Sequence, residues 1–155
     1  SMHDRSFIKL WQDEGAIGTN VLALGGKSGR TALGGDRWVV IGSSSGIVNI
    51  YDRRPWVEKG INIPPRPEPT KRFMQLTTPT SCLAFSADGQ LLVMASRWKR
   101  DALRLIHLPS CTVYRNWPTS QTPLGRISAV AFSSASDMLA VANEQGKIRL
   151  WEIRA

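Results

Sequence analysis

At 155 residues, with 42% hydrophobic and 21% charged side chains, the chain carries enough apolar material for one packed core and is too apolar for a disordered tail. Twenty Lys and Arg against twelve Asp and Glu give a formal net charge of +8 and a pI near 10.2, as RNA-facing proteins often show. No run approaches the ~18 apolar residues of a membrane span, no signal peptide is recognisable, and two histidines and two cysteines at no ligand spacing give no metal signature.

In chain order, Ser1 and Met2 read as a remnant of tag removal, so the natural chain is expected to extend further N-terminally. Residues 6–11, SFIKLW, form a short strand, and 12–15 a polar turn. The strand at 19–24, TNVLAL, matches TSCLAF at 80–85. An insertion at 25–36 follows and reads as a flexible loop. Its Gly26, Lys27 and Ser28 resemble part of a phosphate loop, but the earlier glycine such a loop needs falls on Val21 in mid-strand. The next strand is 37–41. Five prolines make 53–70 a loop, because proline cannot donate to a sheet ladder. Outer strands are expected at 71–76 and 111–117, and a third strand of the middle repeat at 102–108. Cys82, inside an apolar strand, reads as a reduced, buried thiol and favours a reducing, intracellular setting.

Residues 128–153 give three strands in succession. Residues 128–132 alternate, 133–137 are a turn cluster, and 138–142 are almost wholly apolar and so expected to be buried on both faces. The hairpin 143–146 ends on Gly146. In the third strand Lys147, Arg149 and Trp151 point one way and Ile148, Leu150 and Glu152 the other. The segment SCLAFSADGQLLVMAS at 81–96 lies over SAVAFSSASDMLAVAN at 128–143 without a gap, and GSSSGIVNIYD at 42–52 lies over ANEQGKIRLWE at 142–152. The motif therefore occurs three times.

Short strands recurring at about 40 to 50 residues and ending in an aromatic-acidic pair resemble WD40-type propeller blades. Tyr51-Asp52 and Trp151-Glu152 stand where that family has Trp-Asp, and His107 stands in the degenerate middle repeat at the place of the tryptophan, with a structural role. The fold class is all-β, a WD40 β-propeller fragment of about three blades within one domain, 1–155. The blade equivalents, outer strands included, are about 6–52, 71–108 and 111–153, with the Pro-rich loop 53–70 between the first two. Three blades cannot close a ring, so two apolar blade faces would stay wet. Self-association, plausibly of two three-blade arcs, or missing sequence is expected to cover them.

Residues 101–153, QDEGAIGTNVLAL at 12–24 and GSSSGIVNIYD at 42–52 resemble, more narrowly, the carboxy-terminal propeller of a family of U-three-associated WD40 proteins, subunits of the UtpB subcomplex in the small-subunit processome. The specific likeness lies at 108–113, 123–126 and 143–147, and the insertion at 25–36 departs from it. The resemblance implies a nucleolar scaffold in early ribosome assembly. Its partners would be other UtpB subunits and processome proteins, with contact to the U three small nucleolar RNA or pre-rRNA. The family's N-terminal motif that recruits the exosome helicase is not in this stretch.

Basic residues cluster at Arg97, Trp98, Lys99, Arg100 and Arg104, where cations that seek phosphate flank a ring that a base can stack on. By the WD40 resemblance Arg126 shares their face. Arg97, Trp98, Lys99, Arg100 and Arg126 are therefore the candidate RNA- or partner-binding residues. The plainer reading is a solvated turn with Trp98 tucked against the blade. Arg53, Arg54, Arg66, Lys71 and Arg72 fall by the same resemblance on the opposite face, as a docking or solvated loop. Serines concentrate in turns, so no Ser-His-Asp arrangement is favoured. The chain reads as a non-enzyme without cofactor. The readings are a ribosome-assembly scaffold, a generic WD40 peptide-binding adaptor, or a direct RNA-binding module.

Overall fold

The computed structural model describes residues 11–13, 18–27, 36–58 and 67–153. Strands β1 (Thr19–Lys27), β2 (Asp36–Ser43), β3 (Val48–Asp52) and β4 (Lys71–Phe73) form one antiparallel sheet in that order, with the one-turn helix α1 (Arg54–Glu58) after β3. Strands β5 (Cys82–Phe85), β6 (Leu91–Ala95), β7 (Leu103–His107) and β8 (Thr112–Val113) form the second. Strands β9 (Ile127–Phe132), β10 (Met138–Asn143) and β11 (Ile148–Glu152) form the third, with three strands among the described residues.

Turn chemistry sets these hairpins. Gly46 (φ 90°) and Gly146 (φ 79°) supply the left-handed residue between the second and third strands of the outer two sheets. Asn143 Oδ1 accepts from the backbone N–H groups of Gln145 (3.0 Å) and Lys147 (3.2 Å), closing the last turn.

The sheets stack through their first strands, β1 against β5 and β5 against β9. Gly25 sits at this approach, where an added Cβ would stand 2.3 Å from the Phe85 ring. Trp38, Val40, Ile50, Phe73, Leu92, Met94 and Ile106 fill the space between the first two sheets. Val93, Leu103, Leu124, Ile127, Leu139 and Val141 fill the space between the second and third. These face-to-face sheets joined at their inner strands are propeller blades.

Three expectations change here. Each outer strand, grouped in the sequence with the three strands that follow it, pairs instead with the strand before it: β4 with β3 and β8 with β7. The repeat in sequence is thus offset by one strand from the blade. Strands β1 and β2 run through Lys27 and from Asp36, so Gly25, Gly26 and Lys27 are sheet rather than loop. The proposed strand at 6–11, apart from Trp11, which is not in a strand, and the interior of the insertion, 28–35, lie outside the described residues. Within 53–70, α1 replaces the start of the loop.

The register also relocates the signature of the middle repeat. Tyr51 lies opposite Val39 and Trp151 opposite Leu139; in the second sheet the matching partner of Leu92 is Ile106. His107 takes the acidic place, not the tryptophan's, because the turn at 96–102 is longer than its counterparts and shifts the count. Its Nδ1 stands 2.7 Å from Ser110 Oγ and its ring meets Tyr114 edge-on at 6.2 Å. Trp151 packs edge-on against Trp117 (5.4 Å), while Glu152 is exposed.

Asp52 is held by Arg37 Nη2 (3.1 Å) and by Arg54 Nη2 (2.9 Å) and Nε (3.1 Å). Burial opposes its ionisation, but the hydrogen bonds from Arg54 and Arg37 outweigh it and hold the carboxyl below its usual value. A carboxyl depressed by folding stabilises fully above the unfolded-state value, and that contribution is lost as pH falls through the folded-state value. Asp52→Asn should cost about 1–2 kcal/mol at neutral pH and flatten the acid limb of the melting curve. Thermal melts from neutral pH down through the carboxylate range check this; a wild-type acid limb in the variant would contradict it.

The equivalent apolar strands β6 and β10 differ in surroundings. All five residues of β6 are buried, whereas Met138 at the start of β10 is 43% exposed and alternate positions are only half-buried. The expected burial of 138–142 on both faces is not met, because β6 has a sheet on either side and β10 has one. On β11, paired with it, Ile148 is 70% and Leu150 67% exposed. The outer face of the first sheet is not wholly bare. Trp11 and Trp56 cover Val39, Ile41 and Tyr51, leaving Leu22 and Leu24 exposed near the inner strand.

Candidate nucleic-acid interface

The turn between β6 and β7 is built by short polar side chains. Ser81 Oγ accepts from the backbone N–H of Arg97 (2.8 Å), Ser96 Oγ lies 2.5 Å from Thr78 Oγ1, and Asp101 adopts φ 57°. Asp101 Oδ1 accepts from the backbone N–H groups of Leu124 (2.9 Å) and Gly125 (2.7 Å), tying this turn to the entry of the third blade. Arg126 Nη1 then donates to the carbonyl of Trp98 at 3.1 Å. Arg97, Trp98 and Arg126 therefore meet on one face.

The Trp98 ring is 58% exposed rather than tucked against the blade, and the Arg97 guanidinium stands 5.6 Å from its centroid. Arg97 also bonds Glu144 Oε1 through Nη2 (3.1 Å) and Nε (3.2 Å). Two cations of the candidate set thus already have protein partners. Lys99 and Arg100 turn toward a small cavity of about 190 Å³ shared with Gln75 and Arg104.

The second basic group does not stay together. Arg54 is spent on Asp52, Arg72 Nε donates to Asn49 Oδ1 (3.3 Å), and Arg66 lies outside the described residues. Alternation on β4 sends Lys71 to the other side from Arg72. Lys71 lies opposite Ile50, which faces the second sheet; Arg104 lies opposite Met94, which faces the first. Both therefore enter the gap between the first two blades, at its outer rim. They line a predominantly polar groove of about 510 Å³ with Gln75, Thr112, Tyr114 and Arg115. Arg115 was not singled out in the sequence, and the meeting of Lys71 with Arg104 depends on strand alternation and on β4 joining the blade before it, where the sequence grouped it with the blade after.

Cys82 is half-buried and Cys111 buried, both free; burial pushes both thiols up, which disfavours a reactive thiolate. Among the described residues no three His, Cys, Asp or Glu side chains stand close enough to hold a metal ion, and no helix is long and apolar enough to cross a membrane.

The repeated antiparallel sheets, joined at their inner strands with apolar cores between their faces, define this chain as a WD-repeat β-propeller segment of about three blades; the family described as WD domain, G-beta repeat, matches residues 118–152. Within that class the chain is homologous, over nearly its whole length, to proteins named U3 small nucleolar RNA-associated protein 18. It is 47% identical over 153 residues to that protein of Saccharomyces cerevisiae, covering 94% of this chain and 25% of the relative. The probable counterpart in Schizosaccharomyces pombe is 38% identical over 99% of this chain and 27% of its own length. The Homo sapiens homologue is 31% identical over 98% of this chain and 25% of its own. The chain thus spans about a quarter of the length of the curated relatives it matches.

Proposed function

We propose that this chain is part of a non-catalytic scaffold subunit in nucleolar ribosome biogenesis. It takes part in small-subunit processome assembly and pre-rRNA processing with the U three small nucleolar RNA, and other UtpB subunits are its immediate partners. The observation that carries the reading is the 47% identity across 94% of the chain to a protein named for association with that RNA. The net charge of +8 supports it. In the intact protein an adjoining blade covers the open face of the third sheet.

Depleting the intact protein from its own cells should accumulate unprocessed precursor of the small-subunit ribosomal RNA, while the large-subunit RNA continues to mature. A normal precursor profile after depletion would contradict the reading. The alternative of a direct RNA-binding module is favoured by one specific observation, the basic groove at the rim of the first two blades.

A further inference from the structure

Several of the described arginines have protein partners. Arg37 and Arg54 are paired with Asp52, Arg97 with Glu144, and Arg126 with a backbone carbonyl. Lys71, Arg104 and Arg115, and beyond them Lys99 and Arg100, form no side-chain hydrogen bond or ion pair with the described residues, yet they line two cavities that share Gln75 and Arg104. Arg104 is only half-exposed and sits on the face of β7 that packs against the first blade. Holding a guanidinium there without a counter-charge costs desolvation that a bound anion would offset.

We infer that this groove, running from Lys71 and Arg115 past Arg104 to Lys99 and Arg100, binds the phosphate backbone of single-stranded RNA. Cations stand on both walls, contributed by β4 of one blade and by β7 and the residues after β8 of the next. That arrangement follows a flexible polyanion along its length rather than gripping one group. Gln75 and Thr112 add neutral hydrogen-bonding groups beside the cations, and Tyr114 stands at the rim, where its ring meets His107 edge-on and also lines the apolar cavity between the second and third blades. Of the described carboxylates beside these cations, Asp101 is turned to the backbone of Leu124 and Gly125, and Glu144, which shares a further cavity with Arg100, is bonded to Arg97. An acidic peptide would meet the same charges; the association with RNA for which the relatives are named favours RNA as the occupant. The inference deepens the RNA-linked reading above and rests on it for the class of ligand alone.

The test uses the intact protein and a fluorescent single-stranded oligoribonucleotide, with affinity measured by anisotropy across a salt series. Lys71→Gln with Arg115→Gln changes two exposed side chains that form no hydrogen bond with the described residues, so the fold should hold, as a matching melting temperature would show. This variant should bind about tenfold more weakly, with a log–log salt slope shallower by about 1.4, since each cation on a single strand contributes about 0.7. Adding Arg104→Gln should remove roughly a further 0.7. The control Arg97→Gln with Arg126→Gln, two cations already partnered, should change the slope less. Wild-type affinity and slope in the groove variant would overturn the inference. So would tighter binding of a glutamate-rich peptide than of RNA, with loss of that binding in the variant, which would assign the groove to acidic protein. A variant that loses RNA affinity but still enters the processome supports the groove. A protein that never enters the processome yet binds RNA through these residues leaves the groove standing and removes the ribosome-assembly reading.

Discussion

Replacing Ile148 and Leu150 together by lysine should convert the chain, studied alone, from an associated species into a monomer. Both side chains lie on the outer face of the third sheet at 70% and 67% exposure, opposite Ala142 and Ala140 on β10, with Met138 on the same face. Monomeric proteins rarely leave such a patch wet. Covering these three side chains is worth on the order of 4 kcal/mol per contact, or roughly a thousandfold in dissociation constant. The exposed Leu22 and Leu24 of the first sheet offer an apolar partner on a second copy. Two such contacts close a six-bladed ring by twofold symmetry. Analytical ultracentrifugation checks this: the wild-type chain should sediment as a dimer or larger at micromolar concentration and the double variant as a folded monomer. A wild-type monomer would contradict it.

Asp13→Ala should lower the melting temperature by about 6–12 °C, equivalent to about 3 kcal/mol in a chain of this size. Asp13 is buried over the outer face of the first sheet, where its Oδ1 accepts from Asn49 Nδ2 (2.9 Å) and from the Tyr51 hydroxyl. Trp11 packs edge-on against Tyr51 (4.9 Å) and against Trp56 of α1 (5.4 Å), so the carboxylate fixes the cap that shields Val39 and Ile41. Losing it removes an acceptor from two buried donors and loosens that cap. Asp13→Asn, which keeps an acceptor oxygen, should cost less than half as much. Scanning calorimetry decides between them, and an alanine variant that melts with the wild type would show that the cap contributes nothing.

The repeat was legible because each blade spells its own hairpins. The match of 81–96 to 128–143, the glycines at 46 and 146, and the apolar runs on β6 and β10 are local signals, and each one marks real strands. Pairing was less legible. That β4 belongs to the blade before it, and that Ile106 rather than His107 sits opposite Leu92, depends on hydrogen-bond register across a turn whose length no pattern announces. The same limit governed the candidate interface. Local spacing put Arg97, Trp98, Lys99 and Arg100 together, but Arg97 turns out to be committed to Glu144. Lys99, Arg100 and Arg104 of that cluster form no side-chain bond with the described residues, and Lys71 and Arg115, more than forty positions apart, join them only through the packing of two blades.

Tagging the intact protein in its own cells, crosslinking it and identifying what purifies with it tests the scaffold assignment most directly. UtpB subunits together with the U three small nucleolar RNA and precursor ribosomal RNA should be recovered. Recovery of a different complex, with neither RNA present, would contradict the assignment.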